Sequence, residues 1–276
     1  METKNKFLIR EEEFFLISKM VKELTGISLG KRKNNLIISK ISSRIMDNNI
    51  NGIEDYYKFI NSRRGNDERI KIISDITTNV TEFFREKKHF NYLDRLLRHD
   101  FYRDAYSGEE IRIWSSACSS GEEAYSAAMT AVESLSGLPS KTIKILGTDI
   151  DPEMIGKARS GIYCKNHASK IPSEKFNKFC VNNIDTFSMS ENIKGLIIFK
   201  ILNITRDWPF QSKFHAIFCR NVSIYFDKQT TDLLWKRLSS RIHLNGEIYI
   251  GHSERIPNSQ ELGLRPIGTN AYKKVL

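Results

Sequence analysis

An α/β fold on a doubly wound, mostly parallel sheet, preceded by a helical domain, is what this 276-residue sequence predicts, on three observations. From about residue 110, short runs rich in Ile, Val and Phe alternate with amphipathic stretches, as in chains of strand–helix–strand units. Ahead of them, residues 7–90 carry a helical period with short breaks. The content of 40% hydrophobic and 11% aromatic residues supplies an ordinary globular core, which sets disorder aside.

Each element has its own signal. Phe14, Phe15, Ile17, Met20, Val21 and Leu24 mark a first helix, stopped near Gly26 and Gly30. A second, over 33–46, aligns Ile37, Ile41 and Ile45 beside a row of Lys33, Lys40 and Arg44. A third covers 53–62, and 63–67 reads as a loop. Strands are expected at 111–116, 143–148, 196–202, 214–219 and 247–251, with helices at 122–135, 152–160 and 228–242. The stretch 161–195 has no helical period and reads as a small subdomain inserted between two strands. The domains are therefore 1–90, a helical domain with its linker, and 91–276, with the insert at about 161–195.

The chain holds 43 Lys+Arg against 33 Asp+Glu, a formal charge of +10. The excess is spread, with 15 basic and 11 acidic side chains in residues 1–80. One local concentration stands out: no acid falls between Glu23 and Asp47, where Lys31, Arg32, Lys33, Lys40 and Arg44 lie. That face is either a solvated helix flank or a docking surface for an acidic partner. None of the four cysteines forms a C-x-x-C pair and no H-E-x-x-H occurs, so no metal site is expected. The N-terminus carries acids where a signal peptide needs an apolar stretch, and no run approaches the roughly 18–20 apolar residues of a membrane span. A cytoplasmic protein is expected.

In such sheets, ligands sit at the carboxyl ends of the strands. After the first strand comes Ser115-Ser116-Ala117-Cys118-Ser119-Ser120-Gly121-Glu122-Glu123, a turn of small residues without the G-x-G-x-x-G pattern. Ser120 and Glu123 have capping-box spacing, which is one reading. The other is that two carboxylates here repel a pyrophosphate and suit a cofactor that is cationic at this end, such as S-adenosylmethionine. The second strand ends at Asp149, placed to accept hydrogen bonds from a ribose diol, and Asp151-Pro152 reads as a helix N-cap. Asn203 and then Arg220-Asn221 tip the third and fourth strands and complete a polar rim.

Together these segments resemble the chemotaxis receptor methyltransferases, the CheR family. The matching blocks are Thr77–Arg85 (TTNVTEFFR), Trp114–Ser126 (WSSACSSGEEAYS), Thr148–Asp151 with Ala158–Tyr163, Ile217–Asp227 (IFCRNVSIYFD) and Gly251–Glu254 (GHSE). The resemblance implies a Rossmann-like class I methyltransferase domain with an N-terminal helical domain and a small inserted β-subdomain. It implies S-adenosylmethionine as cofactor, S-adenosylhomocysteine as product, and methyl transfer to glutamate carboxylates of methyl-accepting chemotaxis receptors. Carried over by position, the cofactor residues are Asn79, Thr81, Arg85, Glu123, Asp149, Asn203, Ile204, Arg220 and Asn221, with Arg85 and Tyr225 at the reacting end. Cys118 and Ala124 depart from the family block without disturbing it. The insert stretch Phe179–Asp185 lacks the glycine-bearing turn with which tether-dependent relatives grip a receptor peptide. Docking is therefore expected on the basic helix, through Lys33, Lys40 and Arg44, by a monomer.

Two rivals stay open on residues alone. A nucleic-acid methyltransferase would fit the pI of 9.3, but Arg220–Tyr225 lacks the N/D-P-P-aromatic turn and the basic patch lacks stacking aromatics. A methyltransferase fold reduced to a sensor or scaffold is the other.

Overall fold

The structure, a computed structural model, describes residues 10–30 and 34–276. The N-terminal stretch 1–9 and Lys31, Arg32 and Lys33 of the basic patch lie outside the described residues. The chain forms two compact units. One runs to Thr77 and takes in Tyr225–Asp227; the other comprises Thr78–Ile224 and Lys228–Leu276.

The first unit is built from α1 (Glu11–Thr25), α2 (Asn34–Asp47), α3 (Ile53–Asn61) and α4 (Asn66–Ile76). Each helix turns an apolar stripe inward. Ile17, Met20 and Val21 join Ile41, Tyr56, Ile60, Ile72 and Ile76 in one core. Residues 63–67 are not a loop: a 3-10 turn at Arg63–Gly65, capped by the Ser62 hydroxyl, runs straight into α4.

Arg44 is turned inward. Its Nε donates to Glu68 Oε1 at 2.7 Å, its Nη2 pairs with Glu68 Oε2, and the Tyr56 hydroxyl donates to Glu68 Oε1 at 2.8 Å. Against the cost of burial, these partners hold the Glu68 carboxyl below the usual carboxylate range. Lys40 donates to the Asp75 carbonyl. The basic row expected as a docking face is thus partly spent on internal contacts, because the buried Glu68 demands a cation. Arg44→Ala leaves that carboxylate unpaired, and we expect about 3 kcal/mol of lost stability. Thermal denaturation checks this; a melting temperature equal to wild type would contradict it.

The second unit begins with α5 (Lys88–His99), α6 (Tyr102–Tyr106), β1 (Ile111–Ser115), α7 (Glu122–Ser134), β2 (Ile143–Asp149) and α8 (Pro152–Ser160). There follow β3 (Ile162–Cys164), α9 (Ser173–Phe179), β4 (Cys180–Asn182), β5 (Thr186–Met189) and α10 (Glu191–Lys194). The last segment holds β6 (Ile197–Ile201), β7 (Phe214–Cys219), α11 (Lys228–Arg241), β8 (Ile242–Ile250), β9 (Leu264–Gly268) and β10 (Ala271–Lys274). The division after Thr77 falls ahead of the expected boundary at 90. Its physical reason is α5, whose Phe90, Leu93, Leu96 and Leu97 belong to the core of the sheet unit.

The main sheet has the order β6-β2-β1-β7-β8-β10-β9. Pairing is parallel from β6 through β8, and β10 and β9 add an antiparallel edge. β1 sits between β2 and β7, so the chain winds outward on both sides of it, which puts the switch point at its carboxyl end. β3, β5 and β4 form a separate three-stranded antiparallel sheet, inserted between α8 and β6. Alanines at 124, 127, 128 and 131 let α7 bury itself against the sheet. Among the described residues no helix is long and apolar enough to cross a membrane.

Candidate active site

The carboxyl ends of β1, β2, β6 and β7, together with the segment before α5, converge through hydrogen bonds. At the tip of β2, Asp149 Oδ2 accepts the Ser119 amide at 2.8 Å and Oδ1 accepts the Asp151 amide at 3.0 Å. Burial pushes its carboxyl up to about 6. Each oxygen has a second lone pair, so the group can still accept from a ligand. Asp151 caps α8 through the Glu153 amide at 2.9 Å, with Pro152 in the first turn, as the sequence indicated. Asn79 Nδ2 donates to the other Asp151 oxygen at 2.7 Å, and the Asn79 carbonyl accepts the Ser119 hydroxyl at 3.0 Å. Asn203 follows β6, where Leu202 N–H donates to the Asp149 carbonyl at 2.8 Å. The Asn203 side chain folds onto Thr205, while Ile204 is buried.

The turn after β1 makes no capping box. Gly121 is the N-cap of α7, and Ser120 Oγ donates to Glu122 Oε2 at 2.7 Å. Glu123 faces the other way, accepting from Ser115 Oγ at 2.6 Å and from Arg220 Nη1 at 2.9 Å. The buried Arg220 outcompetes the local amides for that carboxylate. Gly121 sits at φ +98°, and a Cβ there would lie 2.9 Å from that of Ala158, so the turn needs glycine. From the insert, the Tyr163 hydroxyl donates to the Ser120 carbonyl at 2.7 Å and steadies the same turn.

Arg220 is the hub of a buried charge cluster. Its Nη2 donates to the Arg85 carbonyl at 2.7 Å and lies 3.3 Å from Glu86 Oε1. Burial, then the Arg220 charge, push the neighbouring His89 down to about 4, so it is neutral at pH 7. Two carboxylates therefore face one guanidinium, and Glu86 Oε2 and Arg220 Nε lack hydrogen-bond partners. Burial pushes the Glu123 carboxyl up against the opposing pull of the Arg220 charge. A buried cluster of two carboxyl groups around one guanidinium, with a carboxyl oxygen that has no hydrogen-bond partner, suits a cationic ligand better than a phosphate.

Arg85 Nη1 donates to the Val80 carbonyl at 2.9 Å, using one of its five donors, and Thr81 lies half-buried in the same segment. Tyr225, at the end of a 3-10 turn over Ser223–Tyr225, belongs to the first unit, where its carbonyl accepts the Ser28 amide at 2.8 Å. Glu86, Ser115, Ser119 and Glu254 were not singled out from the sequence. Glu86 and Glu254 lie in or next to the motif blocks, and a charged residue flanking Arg85 or a strand end was the available signal.

Two family models match most of the chain: the CheR methyltransferase all-alpha domain over residues 12–77 and the CheR methyltransferase SAM-binding domain over residues 79–272. The chain belongs to the CheR methyltransferase family. A probable chemotaxis protein methyltransferase of Rhizobium etli is 35% identical over 258 residues, covering 92% of this chain and 96% of that one. The chemotaxis protein methyltransferase of Borreliella burgdorferi is 36% identical over 260 residues, 92% of each chain. Chemotaxis protein methyltransferase 2 of Pseudomonas aeruginosa is 33% identical over 271 residues, covering 96% and 94%. The CheR chain is thus an S-adenosylmethionine-dependent methyltransferase, and its acid-rich cluster fits that cationic cofactor better than a dinucleotide.

Proposed function

We propose that this chain methylates glutamate side chains of chemotaxis receptors, forming γ-glutamyl methyl esters that adapt the sensory response. The similarity along both units to proteins named chemotaxis protein methyltransferase carries this reading. The cofactor supplies an electrophilic methyl on a sulfonium leaving group. The acceptor needs no general base, because a glutamate of pKa near 4.3 is already ionised at pH 7. The protein's task is positioning. We assign Asn79, Thr81, Arg85, Glu123, Asp149, Asn203, Ile204, Arg220 and Asn221 to cofactor binding. Asp149 takes the ribose hydroxyls, and the Arg220 cluster the amino-acid end. Arg85 orients the reacting groups with its remaining donors, and the Tyr225 hydroxyl donates to the acceptor carboxylate. The chain acts as a cytoplasmic monomer on the acidic helical bundle of the receptor. Lys33 and Lys40 remain in the docking proposal; Arg44 leaves it, since it neutralises Glu68.

The test incubates the protein with methyl-labelled cofactor and receptor-bearing membranes, then treats the labelled band with alkali. Label released as volatile methanol is the expected result, with Lys40→Glu raising the acceptor KM and leaving the cofactor Kd alone. Alkali-stable label would point to another acceptor and overturn the reading.

A further inference from the structure

Glu254 lies in the turn after β8 and is buried, 3% exposed. Its Oε2 accepts the amides of Asn221 at 2.7 Å and Gly251 at 2.6 Å. Its Oε1 accepts the amides of Val222 at 3.0 Å and Ser223 at 2.7 Å, and the Ser223 hydroxyl at 2.8 Å. Among the described residues Glu254 makes no ion pair, so backbone dipoles and one hydroxyl compensate its charge. A buried acid with these partners does one thing: it shapes backbone.

The shape is specific. Three consecutive amides, 221–223, converge on one carboxylate only if the chain curls, and Asn221 accordingly adopts φ +57°. Gly251 leaves room for this. A Cβ there would stand 2.6 Å from Asn221 Nδ2, 2.8 Å from its amide and 2.8 Å from Glu254 Oε2. Gly251 is itself fixed, because its carbonyl accepts Asn270 Nδ2 at 2.9 Å while the Asn270 carbonyl accepts the Ile250 amide at 2.9 Å. The turn between β9 and β10 thereby holds the end of β8, and Glu254 passes that rigidity to the loop after β7.

We propose that Glu254 is a positioning residue for the cofactor, setting the curl that places Arg220 and Asn221. This rests on the assignment of those two residues to cofactor binding. Glutamine at 254 keeps the size but sets an NH₂ group against amides that need an acceptor. Calorimetric Kd values for S-adenosylhomocysteine are measured for Glu254→Gln, Gly251→Ala and Asn221→Gly, with circular dichroism and melting temperature reporting the folded fraction. The proposal expects Glu254→Gln and Gly251→Ala to weaken binding at least tenfold per folded molecule. Ser223→Ala, which removes a single donor, is expected to weaken it two- to threefold and decides the matter if Glu254→Gln does not fold. A lower melting temperature with unaltered Kd in the Glu254, Gly251 and Ser223 variants, while Asn221→Gly binds weakly, overturns the positioning role. Wild-type affinity in all of them, Asn221→Gly included, overturns the assignment of the loop itself.

Discussion

Arg220→Ala is expected to lower the melting temperature by roughly 6–20 °C and to abolish measurable cofactor binding. The side chain is 2% exposed and stands between Glu123 and Glu86. Its removal strands two carboxylates in a buried site. Breaking a buried pair costs about 3–5 kcal/mol, and in a unit of this size each kcal/mol moves the transition by about 2–4 °C. The sign can be isolated with a second substitution. Arg220→Ala combined with Glu123→Gln removes one stranded charge and should melt above the single variant. A double variant no more stable than Arg220→Ala would refute the charge explanation, and a melting temperature within 2 °C of wild type for the single variant would refute the cluster's importance.

The second large effect is the pH dependence of cofactor affinity set by Asp149. Burial raises its carboxyl to about 6. A raised carboxyl favours the protonated folded state, so the stability this group contributes is greatest at low pH and is lost as pH rises through about 6. Ligand binding runs the other way. Only the ionised form accepts both ribose hydroxyls, so affinity should fall as pH drops through about 6 and level off above 7. Binding near pH 6 should release protons, visible as a calorimetric enthalpy that depends on the buffer. Asp149→Asn should flatten the profile and weaken binding roughly 10–150-fold, the value of a charged hydrogen bond. A flat wild-type profile from pH 5.5 to 7.5 would remove Asp149 from the ribose site.

Much of this was legible in the residues, and what was not has physical causes. The parallel strands were readable because burial on both faces makes them continuous apolar runs: all six residues of β7 are buried. The antiparallel edge was not. In β9 only Leu264 is buried and Pro266 interrupts the run, so this edge strand shows no alternation. β3 and β4 span three residues each, too short for any period. The site divides the same way. Asp149, Glu123 and Arg220 could be picked because polar residues at the ends of apolar strands are conspicuous. Glu86 and Glu254 act through partners far away in sequence, such as Arg220 and the amides of 221–223, which no local pattern displays. Arg44 misled for the converse reason: helical spacing gives its azimuth, but Glu68, which captures it, lies two helices later.

The central place of β1 also governs the order of assembly. Ile113 pairs with Ile145 about thirty residues on, but with Ala216 about a hundred residues on. Closing so long a loop is entropically slow, whereas α1–α4 gather their core from within their own stretch of chain. The helical unit therefore has its core while β1, already carrying the apolar Ile111, Ile113 and Trp114, still waits with one edge open for β7. That open edge is the molecule's exposure to aggregation during synthesis, and it closes only when the same strand that delivers Arg220 arrives.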